Sequence, residues 1–245
     1  MRELTGKRYW LVGASEGLGR SLAEQLSRMG VSLVLSARNE DRLNELATEL
    51  PGPADVVACN ISDSVSCADA FAAAGHIDGI VFLAGVYWPV SGKDAWDVDQ
   101  LTAMADVNFT GALRVLAPVV PAFVAQDAGH IVLTGSLSGF RGLPGAIGYS
   151  GSKAAVISTA ETLHADLRKT GVDVQLVNPG FIKTRLTEKN DFSMPFIMDP
   201  EDAARVIVEH MTSGKFQKTF PKPFSWLFRL TNLMPDWLYF RIFKA

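Results

Sequence analysis

The sequence predicts a single α/β domain in which a doubly wound parallel sheet carries helices on both faces. Short apolar runs typical of strands alternate with longer amphipathic runs typical of helices, and this alternation favours a parallel sheet. The first apolar run leads directly into a glycine-rich turn and then into a helix. With 245 residues and no internal repeat or flexible linker, the chain is long enough for one domain with a sizeable core.

The elements follow one another in strand–helix order. The predicted strands are 8–13, 31–36, 55–59, 78–83, 129–134, 172–177 and 217–220. The predicted helices are 17–29, 39–50, 63–74, 94–105, 107–126, 148–169 and 200–213. In the first helix, Leu18, Leu22 and Leu26 share one face. The last helix is expected to begin with Asp199 as its N-cap and Pro200 at its first position.

The turn after the first strand has the composition of an anion-binding site. Gly13, Gly17 and Gly19 stand in the run Gly-Ala-Ser-Glu-Gly-Leu-Gly, between the strand and the helix. Glycines let the backbone approach a pyrophosphate, and the free N–H groups of the helix N-terminus hold its charge. A glycine turn alone is often an ordinary connection, but this strand–turn–helix context favours dinucleotide binding and a Rossmann-like sheet.

Tyr149 and Lys153 lie one helical turn apart, so the phenol and the ammonium share a face of the predicted helix. A nearby ammonium favours the phenolate and lowers the phenol pKa from about 10, which would let the tyrosine exchange a proton with a carbonyl oxygen. Ser136, thirteen residues before the tyrosine, could orient that oxygen. Because a Tyr-x-x-x-Lys pair also occurs by chance, the glycine turn at the other end of the chain is what supports this interpretation.

Together these motifs resemble the short-chain dehydrogenase/reductase family, in its single-domain branch of about 250 residues. The resemblance covers residues 5 to about 220. Identity, order and spacing all agree at the family's cofactor motif, its catalytic tetrad and its nicotinamide-contacting segment. The matching residues are Gly13, Gly17, Gly19, Asn108, Ser136, Tyr149, Lys153, Asn178, Pro179, Gly180, Ile182 and Thr184.

The resemblance implies an NAD(P)-dependent oxidoreductase that transfers a hydride between nicotinamide and a carbonyl or secondary alcohol. Tyr149 would exchange the proton, while Lys153 would lower its pKa and bind the nicotinamide ribose. Ser136 would hold the reacting oxygen, and Asn108 would hold a water that relays protons. The residues expected to bind the cofactor are Gly13, Ser15, Glu16, Gly17, Leu18, Gly19, Arg38, Asn60, Ile61, Ala84, Gly85, Tyr149, Lys153, Pro179, Gly180, Ile182 and Thr184.

Three positions depart from the family's pattern. Val12 precedes the first glycine where the family usually has threonine, and Asn60 replaces an adenine-contacting aspartate. The run Phe82-Leu83-Ala84-Gly85 stands where the family has Asn-Asn-Ala-Gly. Those asparagines mainly brace the sheet, so their loss concerns local hydrogen bonding more than proton transfer.

The end of the second strand indicates the choice of cofactor. A carboxylate there would bind the ribose hydroxyls of NAD(H) and repel a 2′-phosphate, but the segment carries Arg38 and no carboxylate. Since a guanidinium can clamp a phosphate, NADP(H) is predicted in preference to NAD(H). Glu16 argues the other way, because many NADP-using relatives have a basic residue in this turn.

Two other functions stay open. A non-catalytic NADP(H)-binding sensor or scaffold protein would use the glycine turn, but it has no need of all four catalytic residues. A sugar-nucleotide epimerase of the longer related branch is disfavoured by the Gly-x-x-x-Gly-x-Gly spacing.

Composition limits the remaining classes. The formal net charge of −3 predicts no general affinity for nucleic acid. Cys59 and Cys67 form no metal or disulfide pattern, and the four histidines have no metal-ligand spacing, so no metal is predicted. No apolar run has the features of a signal peptide or the length of a membrane span, so a cytoplasmic location is expected.

The substrate site is only outlined. Val86-Tyr87-Trp88, Ser138 and Phe140 follow the fourth and fifth strands, and residues 185–198 form an insertion that similar proteins use as a lid. The apolar end of this insertion, 192–198, suits an apolar carbonyl compound or alcohol, although such side chains suit the protein core equally. The substrate's identity and the direction of the reaction stay open.

Relatives pair through the two long helices, here 107–126 and 148–169, so a homodimer or homotetramer is expected. Their large apolar residues either pack on the sheet or face a neighbouring subunit. These residues are Leu113, Leu116, Val120, Phe123, Val156 and Leu163.

The resemblance does not explain residues 221–245, which follow a predicted catalytic domain of residues 1–220. This appendage holds seven aromatic residues and a net charge of +3, and Pro235 divides it into two short helical segments. Neither segment is long enough to cross a bilayer. The appendage is expected to pack on its own subunit or a neighbour and to wall the substrate pocket. Peripheral contact with an anionic membrane surface is the alternative.

Overall fold

The predicted fold is confirmed by a computed structural model, which describes residues 1–191, 193–222 and 224–243. Within these residues a seven-stranded parallel sheet has the order β3-β2-β1-β4-β5-β6-β7. The strands are β1 (Arg8–Val12), β2 (Ser32–Ser36), β3 (Ala54–Val56), β4 (Gly79–Phe82), β5 (Gly129–Thr134), β6 (Val172–Pro179) and β7 (Gln217–Phe220). The sheet runs outward in both directions from β1 and β4, which is the doubly wound arrangement.

The central strands are apolar on both faces because helices cover the sheet on both sides. Trp10 and Val12 point into one core, and Tyr9 and Leu11 point into the other. Helices α3, α5 and α6 cover the first face, and α1, α2 and α7 cover the second. The helices are α1 (Gly17–Arg28), α2 (Glu40–Glu49), α3 (Ser64–Ala74), α4 (Val98–Ala105), α5 (Gly111–Ala125), α6 (Ile147–Leu167), α7 (Pro200–Met211), α8 (Phe224–Thr231) and α9 (Asp236–Ile242).

Helices α4 and α7 each begin after an aspartate at the N-cap, and only one of these aspartates caps its helix. The predicted helix 94–105 begins only at Val98, because the carboxylate of Asp97 accepts hydrogen bonds from the N–H groups of Asp99 and Gln100. Asp199 does precede α7, but its side chain makes no capping bond and pairs with Lys183 at 3.2 Å instead.

The helices predicted as 94–105 and 107–126 are joined through a π turn, Asp106–Thr110, into one helical stretch from Val98 to Ala125. By length and composition alone this stretch could cross a membrane, contrary to the expectation from sequence. Its side chains Val115, Val119 and Phe123 are buried in the core, so it is a core helix of the α/β domain.

The helices expected to pair subunits cover most of their apolar side chains within the chain itself. Leu116, Phe123 and Val156 are buried, and Val120 and Leu163 pack against the core, whereas Leu113 is exposed. The homodimer or homotetramer therefore stays a prediction that rests on the family resemblance.

The C-terminal appendage forms the two predicted short helices and packs on its own chain. Arg141 anchors it: the guanidinium donates to the backbone oxygens of Thr231 and Met234 at 2.5 and 2.9 Å. The same guanidinium pairs with Asp236 and lies 4.0 Å from the ring centre of Tyr239. The Tyr239 hydroxyl also donates to the backbone oxygen of Gly142 at 2.6 Å. The structure thus shows packing on its own chain, while no described residue of the appendage lines the crevice; its role as a wall of the substrate pocket stays a prediction.

A buried polar cluster surrounds His130 near the amino-terminal ends of the strands. The Tyr9 hydroxyl lies 2.7 Å from the ring Nδ1, and the Gln175 Oε1 lies 2.9 Å from Nε2. The Gln175 amide nitrogen donates to three backbone oxygens, which fixes its oxygen toward the ring. Burial, together with the Arg2 guanidinium, lowers the pKa of His130 to about 3, so the imidazole is neutral in the folded protein near neutral pH.

We expect this histidine to make the fold sensitive to mild acid. In the unfolded chain this imidazole is protonated below about pH 6.5, whereas in the folded chain it is protonated only below about pH 3. The unfolded state therefore binds more protons between these values, and the free energy of unfolding rises with pH across this window. Between about pH 7.5 and about pH 5 the loss should be about 2 kcal/mol. His130→Gln keeps hydrogen-bonding capacity without titrating and should flatten the dependence measured by urea unfolding. An equal pH slope in the variant and the parent would contradict this assignment; His210, whose pKa burial also lowers, should leave a smaller residual slope.

Candidate active site

The candidate site is a crevice at the carboxyl ends of the parallel strands, centred between β1 and β4, where the strand order reverses. Ligands bind at this position in open α/β sheets, because the connections on either side run to opposite faces. All seventeen residues predicted to bind the cofactor line the crevice. Ser136 lines it as well, whereas Asn108 is buried behind the wall.

The glycine turn is held so closely against its surroundings that side chains cannot be accommodated. A Cβ on Gly19 would lie 2.0 Å from the backbone oxygen of Gly13, and one on Gly13 would lie 2.6 Å from the backbone nitrogen of Ala84. Gly13 and Gly17 also have φ angles of +98° and +52°, which disfavour residues with a side chain. The turn therefore brings bare backbone into the crevice at the start of α1.

The N-terminus of α1 receives no capping bond from its own N-cap residue, Glu16. The Glu16 carboxylate instead pairs with Arg42 at 2.8 Å and with Arg185 at 2.6 Å. The first N–H groups of α1 thus keep their capacity to bind an anion. Because two arginines offset the charge of Glu16, its carboxylate repels the 2′-phosphate of NADP(H) less than the sequence alone indicates.

Arg38 lies where the sequence predicts it, exposed at the crevice after β2. In the described part of the chain its guanidinium makes no ion pair, so it is available to a ligand. Arg42, which was not predicted from the sequence, lines the same end of the crevice one helical turn later. The Arg38-x-x-x-Arg42 spacing at the start of a helix was the signal for it.

The structure brings Ser136, Tyr149 and Lys153 together on one wall of the crevice. Ser136 ends the extended segment after β5 and caps a 3₁₀ turn, Leu137–Gly139, and its hydroxyl accepts a hydrogen bond of 3.0 Å from the Ser138 hydroxyl. Tyr149 lies in the first turn of α6. The Lys153 Nζ, one turn further on, donates to the backbone oxygen of Thr134 at 2.9 Å and lies 5.7 Å from the centre of the tyrosine ring.

The predicted lowering of the Tyr149 pKa by Lys153 is not what the protein shows. Burial raises the pKa of Tyr149 to about 12, and the Ser136 hydroxyl opposes this only in part. Burial also lowers the pKa of Lys153 to about 8. Both groups are buried, and loss of hydration disfavours the charged form of each.

Asn108 lies in the π turn before α5 and braces the segment after β4. Its side-chain oxygen accepts from the Val86 N–H at 2.7 Å, and its nitrogen donates to the Val86 oxygen and to the Ser152 hydroxyl, both at 3.0 Å. The amide is thus occupied by protein partners. A water held by this residue, as the resemblance implies, would bind its backbone oxygen or the second lone pair of its side-chain oxygen.

The departures from the family's pattern have simple structural counterparts. Phe82 is buried in the core, and Leu83 packs against the core on the opposite face of the sheet. Apolar packing thus replaces the hydrogen bonds that asparagines would make. Asn60 lines the crevice, and its side-chain oxygen accepts a hydrogen bond from the Ser62 N–H at 3.2 Å.

The insertion predicted as a lid is pinned at its base and rests on the segment after β4. Ile182 and Met198 form a β-bridge that closes the base. Lys189 donates to the backbone oxygen of Tyr87 at 2.7 Å and lies 4.3 Å from the ring centre of Trp88. The Tyr87 ring in turn packs edge-on against Tyr149, with ring centres 5.1 Å apart. Phe192, part of the predicted apolar end, lies outside the described residues.

Comparisons with known proteins agree with this fold and site. The sequence model of the short chain dehydrogenases matches residues 7–193, so the chain belongs to the short-chain dehydrogenase/reductase family. It is an oxidoreductase by that membership. An uncharacterized oxidoreductase of Myxococcus xanthus is 36% identical, with 98% of this chain and 97% of the relative covered. Another, from Staphylococcus epidermidis, is 36% identical over 82% of this chain and 89% of the relative.

Solved structures share the whole architecture. A short chain dehydrogenase from Burkholderia cenocepacia, in complex with NADP, is 22% identical with a TM-score of 0.89, and all of both chains is covered. A family member from Burkholderia phymatum, in complex with NAD, is 24% identical with a TM-score of 0.87 over 95% of each chain. At these identities the likeness concerns the fold.

Replacing Gly19 with alanine should damage both the fold and the crevice. The added methyl group would meet the Gly13 carbonyl, which belongs to the backbone and cannot rotate away. A loss of about 2 kcal/mol or more in the free energy of unfolding is expected. Gly151→Ala is the matched control, since open space surrounds that helical glycine and alanine should stabilise the helix slightly. Similar unfolding midpoints for the two variants would show that the close contact between Gly19 and the Gly13 carbonyl does not contribute to stability.

Proposed function

We propose that the protein is an NADP(H)-dependent oxidoreductase that interconverts a carbonyl group and a secondary alcohol on an apolar substrate. In this proposal residues 1–220 are the catalytic unit and residues 221–245 an appendage. The observation that carries it is the placement of Ser136, Tyr149 and Lys153 on the wall of the crevice that the glycine turn opens. A nucleotide-binding crevice and a proton donor thus share one space.

The crevice fits a nicotinamide dinucleotide. Gly13, Gly17 and Gly19 provide the bare backbone that a pyrophosphate requires, next to the uncapped N-terminus of α1. Lys153 and the segment Pro179–Gly180 would contact the nicotinamide half, and Asn60 with Ile61 would contact the adenine half. When bound, the nicotinamide supplies the hydride chemistry.

Tyr149 is suited to donate a proton to a developing alkoxide. Because burial raises its pKa to about 12, the phenol carries its proton at neutral pH. A phenol is the form that carbonyl reduction needs, whereas alcohol oxidation needs the phenolate. Near neutral pH the tyrosine is thus in the form that the reductive step uses. Ser136 would hold the reacting oxygen, and Lys153 would supply positive charge below its pKa of about 8.

Preference for NADP(H) follows from the charges at the adenine end. Arg38 is exposed and unpaired within the described residues, and no carboxylate occupies the end of β2. Arg42 stands beside it, held by Glu16 at 2.8 Å. Two guanidinium groups within one helical turn favour a 2′-phosphate over free hydroxyls.

An apolar substrate is suggested by the side chains around the reacting group. Tyr87 packs on Tyr149, and Trp88 lies under Lys189 of the lid. Phe140 follows the Ser136 turn. Aromatic side chains beside the reacting group favour an apolar carbonyl compound.

Tyr149→Phe should reduce turnover at least about a hundredfold while leaving NADPH affinity nearly unchanged, because the ring still fills its place and only the proton donor is lost. The measurement is NADPH oxidation, followed by absorbance, across a panel of ketones and aldehydes, beside a cofactor titration by fluorescence. Tyr87→Phe is the matched control and should keep most activity. Full activity in Tyr149→Phe would refute the assigned role. Cofactor binding without turnover of any compound by the parent protein would favour the sensor or scaffold alternative.

Arg38→Asp should move the preference from NADPH toward NADH. A carboxylate repels a 2′-phosphate and accepts hydrogen bonds from ribose hydroxyls, and losing a charge-assisted contact of about 1.5–3 kcal/mol corresponds to a tenfold or larger change in the ratio of dissociation constants. Arg168→Asp changes the same charge at the far end of α6 and should leave the ratio alone. An unchanged ratio in Arg38→Asp would remove the basis for NADP(H) preference.

A further inference from the structure

The C-terminal appendage has two faces with different surroundings. Its inner face packs on the body of the protein through buried Phe228, Thr231 and Tyr239. Its outer face carries seven large apolar side chains that are exposed, among them Trp226 at 62% and Trp237 at 69% of full exposure. We call this surface the outer apolar face; it consists of Trp226, Leu227, Leu230, Leu233, Trp237, Phe240 and Ile242.

Such a surface is unusual for a protein in water. Seven of the seventeen exposed large apolar side chains in the described chain lie within this short appendage. The spacings 226–230 and 227–230 place three of them on the outward side of α8, and the spacing 237–240 places two on α9. Leu233 lies in the turn between the two helices. A clustered patch of this kind marks a surface that binds something, whereas single exposed apolar residues do not.

Charge distinguishes the appendage from the rest of the chain. Lys222, Arg229 and Arg241 are exposed on it, and its one acidic residue, Asp236, is paired with Arg141. The appendage as a whole carries +3 of a total charge of −3, so residues 1–220 carry −6. The appendage is therefore net positive, while the body of the protein is net negative.

We infer that the outer apolar face docks onto the surface of an anionic lipid bilayer. Exposed tryptophan and aliphatic side chains on short amphipathic helices, with arginine and lysine beside them, are the combination that partitions into the headgroup region. Lipid phosphates complement the positive charge. A second copy of the chain is a poorer occupant, because a two-fold symmetric contact would bring two net-positive appendages together.

The lid shares this surface. Phe196 and Ile197 of the insertion are exposed, and the Phe196 ring lies 5.7 Å from the ring of Phe224 at the start of α8. Phe224 also packs against Phe181, just after β6, with ring centres 6.1 Å apart. If the proposed function holds, docking brings the lid side of the substrate site to the membrane, which suits a carbonyl compound that is dissolved in lipid.

Sedimentation with vesicles tests the docking without relying on catalysis. The full-length protein should sediment with vesicles of phosphatidylcholine containing one third phosphatidylglycerol at low salt, and less with pure phosphatidylcholine. Raised salt should weaken the binding. Replacing Arg229 and Arg241 together with glutamine should weaken it by about fivefold for each charge removed.

The tryptophans provide the sharper comparison. The double variant Trp226→Gln/Trp237→Gln should weaken partitioning by roughly tenfold or more, because both rings lose their burial in the headgroup region. Trp96→Gln is the matched control, since Trp96 is 57% exposed but lies before α4, away from the appendage. Both variants should reduce a water-soluble carbonyl compound as fast as the parent protein when no vesicles are present. If the proposed function is wrong, this activity assay will fail while the sedimentation result is unaffected.

Three results would overturn the inference. The first is an absence of sedimentation with anionic vesicles at low salt. The second is equal binding by the double tryptophan variant and the Trp96→Gln control. The third is light scattering in which the double tryptophan variant alone changes from a dimer to a monomer, which would assign the face to a second copy of the chain.

Discussion

The parallel sheet, buried on both faces, is the constraint on which the rest of the structure depends. Because all strands run the same way, the glycine turn after β1, the Ser136 segment after β5 and the Pro179–Gly180 segment after β6 reach one edge. The order reverses at β1 and β4, and the connections leave to opposite faces, which opens the crevice there. Gly13 then lets the turn lie against the segment after β4, and Gly19 lets α1 lie against the turn, both at distances that no side chain would permit.

Burial, more than pairing of charges, sets the chemistry of the site. Tyr149 keeps its proton because the crevice penalises a phenolate, and Lys153 is held with a pKa of about 8 for the same reason. At the adenine end, ion pairs set the local charge instead, because Arg42 and Arg185 offset the charge of Glu16. One crevice thus combines a neutral proton donor at its inner wall with positive charge at its rim.

Sequence reasoning succeeded where local pattern determines structure. The strand–helix alternation predicted the sheet, and motif spacing predicted which residues line the crevice. Asp97, followed three residues later by Gln100, was a local capping signal that went unused. Tertiary contacts leave no such signal, and nothing near Glu16 in the sequence shows that it pairs with two arginines. The predicted lowering of the Tyr149 pKa was wrong, because the sequence shows that a lysine is near but not how much hydration the phenol loses on burial. Pro235 correctly divided the appendage, yet its anchor, Arg141, lies about ninety residues earlier.

Arg141 makes the appendage and the catalytic wall parts of one mechanical unit. It follows Ser136 by five residues, and its guanidinium is bonded to the backbone at the end of α8, to Asp236 and to the face of Tyr239. A force that displaces α8 and α9 must therefore either break these bonds or pull on the loop that carries the serine. The position of Ser136 therefore depends in part on the appendage, although no described residue of the appendage lines the crevice.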